Sequence, residues 1–144
     1  MTASIHASAV LIGGCGVLIR GPSGSGKSRL AFNLILAGRA GQVPAATLIG
    51  DDRVRLTAQN GRLTVQGVPE LAGMIEIRGL GIRTLNFADQ APVELVVDLN
   101  AADGDRLPAP EALKTQVSGV EIPRIPVAQG YDALPLVLAF LTTV

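Results

Sequence analysis

Two kinds of apolar spacing alternate along this chain. Residues 5–20, "IHASAVLIGGCGVLIR", are apolar for most of their length and turn at Gly13, Gly14 and Gly16, which predicts two short strands joined as a hairpin. From residue 27 the period lengthens. Leu30, Phe32, Leu34, Ile35 and Leu36 fall mostly at helical spacing, predicting a helix over about residues 27–37 with Gly38 as its stop. Residues 38–47 read as a loop, and "TLIG" as a short buried strand delivering Asp51 and Asp52. Residues 54–67 alternate apolar and polar on both sides of Asn60-Gly61, the strongest short hairpin signal. Since tight hairpins cannot join parallel strands, the sheet is expected to be mixed.

The second half is less regular. "GVPELAGMIEIRGLGIRTL" has too many glycines for a helix and reads as extended chain and turns around Glu76. "VELVVDLN" reads as a buried strand, "AADGDRLPAP" as a surface loop and "PEALKTQV" as a short helix. "EIPRIPV" is expected at a sheet edge because of its prolines, and "YDALPLVLAFLTTV" as a closing helix with Pro135 in its first turn. The expected fold is a single α/β domain, residues 1–144, with a mixed β-sheet, flanking helices and a phosphate-binding loop.

Composition narrows the function. A chain of 144 residues supports one core. Twelve basic and twelve acidic residues cancel without any run of like charge, so neither a nucleic-acid nor an anionic-membrane surface is expected. No apolar stretch approaches the roughly 18–20 residues of a spanning helix, and no signal-peptide pattern opens the chain. Cys15 is the single cysteine, so no internal disulfide forms, and the expectation is a cytoplasmic protein.

"GPSGSGKS", residues 21–28, satisfies G-x-x-x-x-G-K-[ST] between a predicted strand and a predicted helix, the context this motif requires. In that motif Gly21, Pro22, Ser23, Gly24, Ser25 and Gly26 curl so that backbone N–H groups meet phosphate oxygens, and the helix N-terminus adds partial positive charge. Lys27 would reach the outer phosphates, and the Ser28 hydroxyl would complete a Mg²⁺ shell. Such a site needs carboxylates, and two candidates end apolar strands. Asp98 follows the longer, more apolar strand, although an aspartate at a strand end more often only starts a turn. The adjacent Asp51 and Asp52 repel each other unless a cation lies between them or one takes a proton; otherwise they form a solvated turn.

The order of these landmarks resembles the catalytic domain of the bacterial HPr kinase/phosphorylase family. That family carries a histidine at the start of the first strand, the Gly-rich loop, "ADDR"-like acidic residues after the next strand and a signature close to "GVPELxxMIEIRGLGI". Here these read His6, "GPSGSGKS", "GDDRV" and "GVPELAGMIEIRGLGIR", and the resemblance runs over about residues 6–127. It implies a kinase that transfers phosphate from ATP, or in many members from pyrophosphate, to a seryl hydroxyl of the carrier protein HPr. Many members also use inorganic phosphate to remove that phosphate. The resemblance assigns Asp52 as general base, Asp51 beside the metal, Glu76 with Ser28 as Mg²⁺ ligands, Lys27 as the phosphate lysine and His6 as the active-site histidine. Arg106 in "DRLP" corresponds to an arginine of a family "RLG" stretch, from which Pro108 departs. Family members assemble as hexamers, so homo-oligomerisation is implied as well.

Three departures shape the expectation. The match begins at His6, without the separate N-terminal domain of long members; "GQVPAA" lengthens the connection before Asp51; and "PVAQGYD" replaces "PVRPGRN". Ala128 and Tyr131 thus stand where two arginines do, which implies weak or absent phosphorylase activity in a short form like that of alphaproteobacteria. The alternative reading is a nucleotide-responsive module that binds HPr or another regulator without transfer. A small-molecule kinase would carry an arginine-rich lid that this sequence lacks.

Overall fold

The computed structural model describes residues 2–144. In chain order the elements are β1 (Thr2–Ile5), β2 (Ser8–Ile12), β3 (Cys15–Arg20), α1 (Lys27–Arg39), β4 (Ala46–Gly50), β5 (Val54–Gln59), β6 (Arg62–Gly67) and β7 (Met74–Ile77). They continue with β8 (Gly81–Thr84), β9 (Gln90–Leu99), β10 (Lys114–Val117), β11 (Val120–Val127) and α2 (Ala133–Thr142). Single 3₁₀ turns occupy Pro69–Leu71 and Pro110–Leu113. Among the described residues no helix is long and apolar enough to cross a membrane.

The main sheet is nine-stranded and runs β1-β5-β6-β9-β3-β2-β4, with β11 also on β9 and β10 on β11. It is mixed: β9 runs parallel to β3 and β11 and antiparallel to β6. The near-continuous apolar runs of β3 and of the second half of β9 follow from burial on both faces. Val17 and Ile19 of β3 join Leu95 and Val97 of β9 in one core cluster, while Leu18 and Val96 point into the other. Each such Leu, Ile or Val contributes roughly 1.5–3 kcal/mol when fully buried, so these central strands anchor the domain.

The helices do not flank the sheet on both sides. α1 sends Leu30, Leu34 and Ile35 into the same cluster that receives Ala133 and Val137 of α2. The opposite cluster contains no helix and is closed by Val54, Leu56, Leu63 and Val65 of the β5–β6 hairpin together with Val117 and Ile122. The hairpin is the one expected at Asn60-Gly61, with Gln59 opposite Arg62. Its alternating apolar face supplies the layer that a helix would otherwise provide.

Three local expectations are corrected. "PEALKTQV" is not a helix: one 3₁₀ turn ends at Leu113, and Lys114–Val117 pair as β10 with β11. Ser118 and Gly119 both take positive φ, 52° and 81°, the twist of a two-residue hairpin turn that favours antiparallel pairing over helix. β11 is more than an edge strand, since Val120–Pro123 pair with β10 and Arg124–Val127 with β9. β1, which pairs with β5, lies upstream of the first predicted strand.

Gly38 does not stop α1 either. The helix continues to Arg39, and Gln42 N donates to Ala37 O at 3.0 Å while Gly41 N donates to Gly38 O at 3.2 Å. This pair of bonds is a Schellman closure around a left-handed Gly41. The glycine at 38 serves close packing instead, because a Cβ there would stand 2.7 Å from Ala46 N. Helix propensity alone predicts that Gly38→Ala stabilises by roughly 0.8–1.0 kcal/mol. The steric contact predicts the opposite sign, a loss of about 1–3 kcal/mol. Urea unfolding of the variant decides between them, and a raised midpoint overturns the packing argument.

Candidate active site

β3 ends at Arg20, and the chain enters α1 at Lys27 through the glycine-rich loop. Gly24 and Gly26 hold φ of 81° and 98°, left-handed conformations that glycine adopts without steric cost. Gly26 is the residue before the helix, no side chain caps it, and Lys27 and Ser28 open α1 on the wall of a cavity of about 420 Å³. Ser23, Gly24 and Gly26 line the same cavity. Pro22 is exposed, and Gly21 faces Ser25 so closely that a Cβ at 21 would meet Ser25 Oγ at 2.5 Å. Lys27 Nζ spans the curl, donating to Gly21 O at 2.8 Å and Pro22 O at 3.2 Å.

The adjacent aspartates, at the end of β4, have opposite fates. Asp51 is 5% exposed and accepts three donors: Ser8 Oγ and Ser28 Oγ at 2.7 Å each on Oδ1, and Glu76 N at 3.2 Å on Oδ2. Asp52 takes φ 68° and turns outward into solvent. Its carboxylate lies 3.8 Å from His6 Nδ1, and His6 Nε2 in turn is 3.2 Å from an Arg53 guanidinium nitrogen. Both His6 and Asp52 are well exposed, a setting in which ion pairs contribute little.

Glu76 is an exposed residue of β7, whose neighbour Ile75 anchors the β7–β8 hairpin in the core. The hairpin forms the far wall of a second hollow, about 340 Å³, lined by Leu71, Met74, Ile82 and Asp51. Ser23, Ser28, Asp52 and Glu76 line both hollows, so the two meet at these four residues. The described residues hold no cluster of three His, Cys, Asp or Glu side chains around one point. The donor set still suits Mg²⁺, which takes one or two carboxylates plus water and phosphate oxygens. Ser28, Glu76 and Asp51 are all hard oxygen donors lining the second hollow. Arg106 is exposed in the loop after β9 and is not among the residues lining either hollow.

Asp98, the competing carboxylate, is committed elsewhere. It pairs in register with Arg20, accepting from that guanidinium at 2.7 and 2.8 Å, and takes a further bond from Arg124. Arg124 also binds Asp103 and the Ala112 carbonyl. Burial alone pushes the Asp98 carboxyl up, but hydrogen bonds from Arg20 and Arg124, together with their charge, outweigh it and hold the group below its ordinary value. The bond from Arg124 lowers Asp103 as well. Burial, and then the Glu94 charge, push the Cys15 thiol up. Three further residues join the site without a role assigned from sequence: Ser8, whose only signal is a hydroxyl inside an apolar strand, and Arg29 and Arg78, which line the first hollow.

Residues 1–142 match the family described as the HPr serine kinase C-terminal domain. The chain is 36% identical over 151 aligned positions to an HPr kinase/phosphorylase of Mycoplasma mycoides, covering 94% of this chain and 46% of that one. It is 39% identical to the HPr kinase/phosphorylase of Enterococcus faecalis, covering 88% and 43% respectively. The chain thus spans less than half the length of these relatives. The solved Hpr(Ser) kinase/phosphatase of Coxiella burnetii superposes with a TM-score of 0.74 at 27% identity, over 96% of this chain and 93% of that one.

The ion cluster beneath the loop carries its own pH dependence. Because the folded-state value of Asp98 lies below the ordinary 3.8, its stabilisation is present above that pH and is lost as the pH falls through the folded value. Asp98→Asn is expected to cost about 1–3 kcal/mol at neutral pH. In urea unfolding at a series of pH values, the deficit against wild type should shrink below 3.8. A deficit that does not change with pH overturns the assignment.

Proposed function

Because the chain belongs to the HPr serine kinase C-terminal-domain family, we propose that it is a Mg²⁺-dependent protein kinase that phosphorylates a seryl hydroxyl of HPr. The donor is ATP, with pyrophosphate as an alternative. The observation that carries this reading is the position of Asp52, which lines both the hollow at the phosphate loop and the hollow beneath the β7–β8 hairpin. A general base for transfer must stand between donor and acceptor. A module that only binds would leave this exposed, left-handed aspartate without a task.

In this reading the loop amides and Lys27 hold the donor phosphates, and the serine enters over Leu71, Met74 and Ile82. The serine oxygen attacks the terminal phosphorus, the bond from that phosphorus to the bridging oxygen breaks, and the serine proton passes to Asp52. Mg²⁺ would be held by Ser28 and Glu76 and supplies neutralisation of phosphate charge. Asp51 keeps the Ser28 proton turned inward, leaving the lone pairs of that hydroxyl outward. His6 orients Asp52 from the solvent side, and Arg106 acts only if its loop moves toward the cleft.

Direction follows from charge. Phosphorolysis brings inorganic phosphate beside a phosphoserine, and cations must offset the repulsion. At the turn following β11, Ala128 and Tyr131 carry no charge. Arg124, a nearby candidate in sequence, is tied to Asp98 and Asp103. Arg29 is exposed and lines both the loop cavity and the one at Tyr131, yet it is a single cation.

Two measurements test the proposal. Asp52→Asn should keep nucleotide and Mg²⁺ affinity while transfer to HPr falls by roughly 10²–10⁴-fold; near-normal transfer by this variant removes Asp52 as the base. Purified seryl-phosphorylated HPr with millimolar phosphate should release pyrophosphate far more slowly than the forward reaction runs, and comparable rates refute the directional argument.

A further inference from the structure

Ser8 is a fully buried hydroxyl, and with Asp51 it makes up the buried polar and charged side chains among the described residues. It opens β2, a strand whose following residues are apolar. A hydroxyl at 0% exposure costs free energy unless it is bonded, and here it is bonded on both sides. Ser8 Oγ donates to Asp51 Oδ1 at 2.7 Å and accepts the backbone N–H of Asp52 across a long 3.4 Å contact. One hydroxyl therefore grips two consecutive residues that point in opposite directions.

The two ends of that grip reach different parts of the site. The Asp51 oxygen that accepts Ser8 also accepts Ser28, the hydroxyl at the start of α1. Asp52 N–H belongs to a residue held at φ 68°, a left-handed conformation that costs an ordinary side chain free energy unless its surroundings impose it. Among the described residues, Ser8 Oγ is the side-chain acceptor of that N–H. With the hydroxyl removed, the left-handed turn is left to the backbone bond that Arg53 N–H donates to Asp51 O at 2.7 Å, and Asp51 loses one of its three donors.

We infer that Ser8 is a positioning residue for the transfer proposed above: beside the Arg53–Asp51 backbone bond it steadies the left-handed turn that presents Asp52 between the two hollows, and it completes the shell of Asp51 that orients Ser28. The inference rests on that functional reading. Its structural half, the anchoring of the Asp52 amide, stands without it.

The test compares Ser8→Thr with Ser8→Val, two side chains of the same shape that differ in the hydroxyl, so the packing cost of the added methyl cancels between them. Transfer to HPr by Ser8→Val should fall on the order of tenfold or more, the size expected for a lost hydrogen bond to a charged group. The fall should show in kcat through Asp52 and in KM for the Mg²⁺–nucleotide through Ser28, and Ser8→Thr should recover most of both. Amide hydrogen exchange in the nucleotide-free protein gives a second readout: exchange at Asp52 should accelerate in Ser8→Val and return in Ser8→Thr. If neither branched variant folds, Ser8→Ala against wild type carries the same comparison. Equal transfer and equal exchange in the Thr and Val variants overturn the inference. Wild-type protein that never phosphorylates HPr sinks the functional reading instead, and the exchange at Asp52 still decides whether Ser8 anchors the turn.

Discussion

The site depends on one buried carboxylate. Asp51 collects Ser8 Oγ from β2, Ser28 Oγ from the first turn of α1 and the Glu76 amide from β7. A carboxylate at 5% exposure is costly unless its oxygens are bonded, so the three donors are a condition for folding this corner at all. The same three bonds bring a strand, a helix and a hairpin that are distant in sequence to one point. The glycine-rich loop and the Glu76 strand are thereby tied to one carboxylate.

That corner stands on a rigid floor. β3 and the second half of β9 are buried on both faces, and the Arg20–Asp98 pair holds their ends level where the loop begins. Arg124 extends the clamp to the strand that leads into α2. The two guanidiniums and two carboxylates of this cluster largely satisfy one another, so they contribute register and order where a metal-binding role for Asp98 would need a free carboxylate.

Above the floor the chain separates two tasks between neighbouring residues. Asp51 turns inward and organises; Asp52 turns outward and faces both hollows. An extended backbone would also place consecutive side chains on opposite sides, but Asp52 at φ 68° bends the chain sharply into β5 and leaves its carboxylate at the cleft. The strain is modest, and the donor network around Asp51 and Ser8 offsets it.

Features encoded within a few residues were legible in the sequence. The Asn60-Gly61 hairpin, the strand-loop-helix order around "GPSGSGKS" and the two aspartates after "TLIG" each rest on local backbone preference or on chemistry at short spacing. The tertiary structure decided what needs partners from afar. β10 exists because β11 is there to pair with it, where local propensity suggested a helix. Gly38 answers to Ala46 across the turn rather than to its own helix. Asp98 meets an arginine 78 positions away, and Ser8 meets Asp51 across 43. A hydroxyl in an apolar strand carries no local signal, since its meaning comes only from the acceptor that folding places beside it.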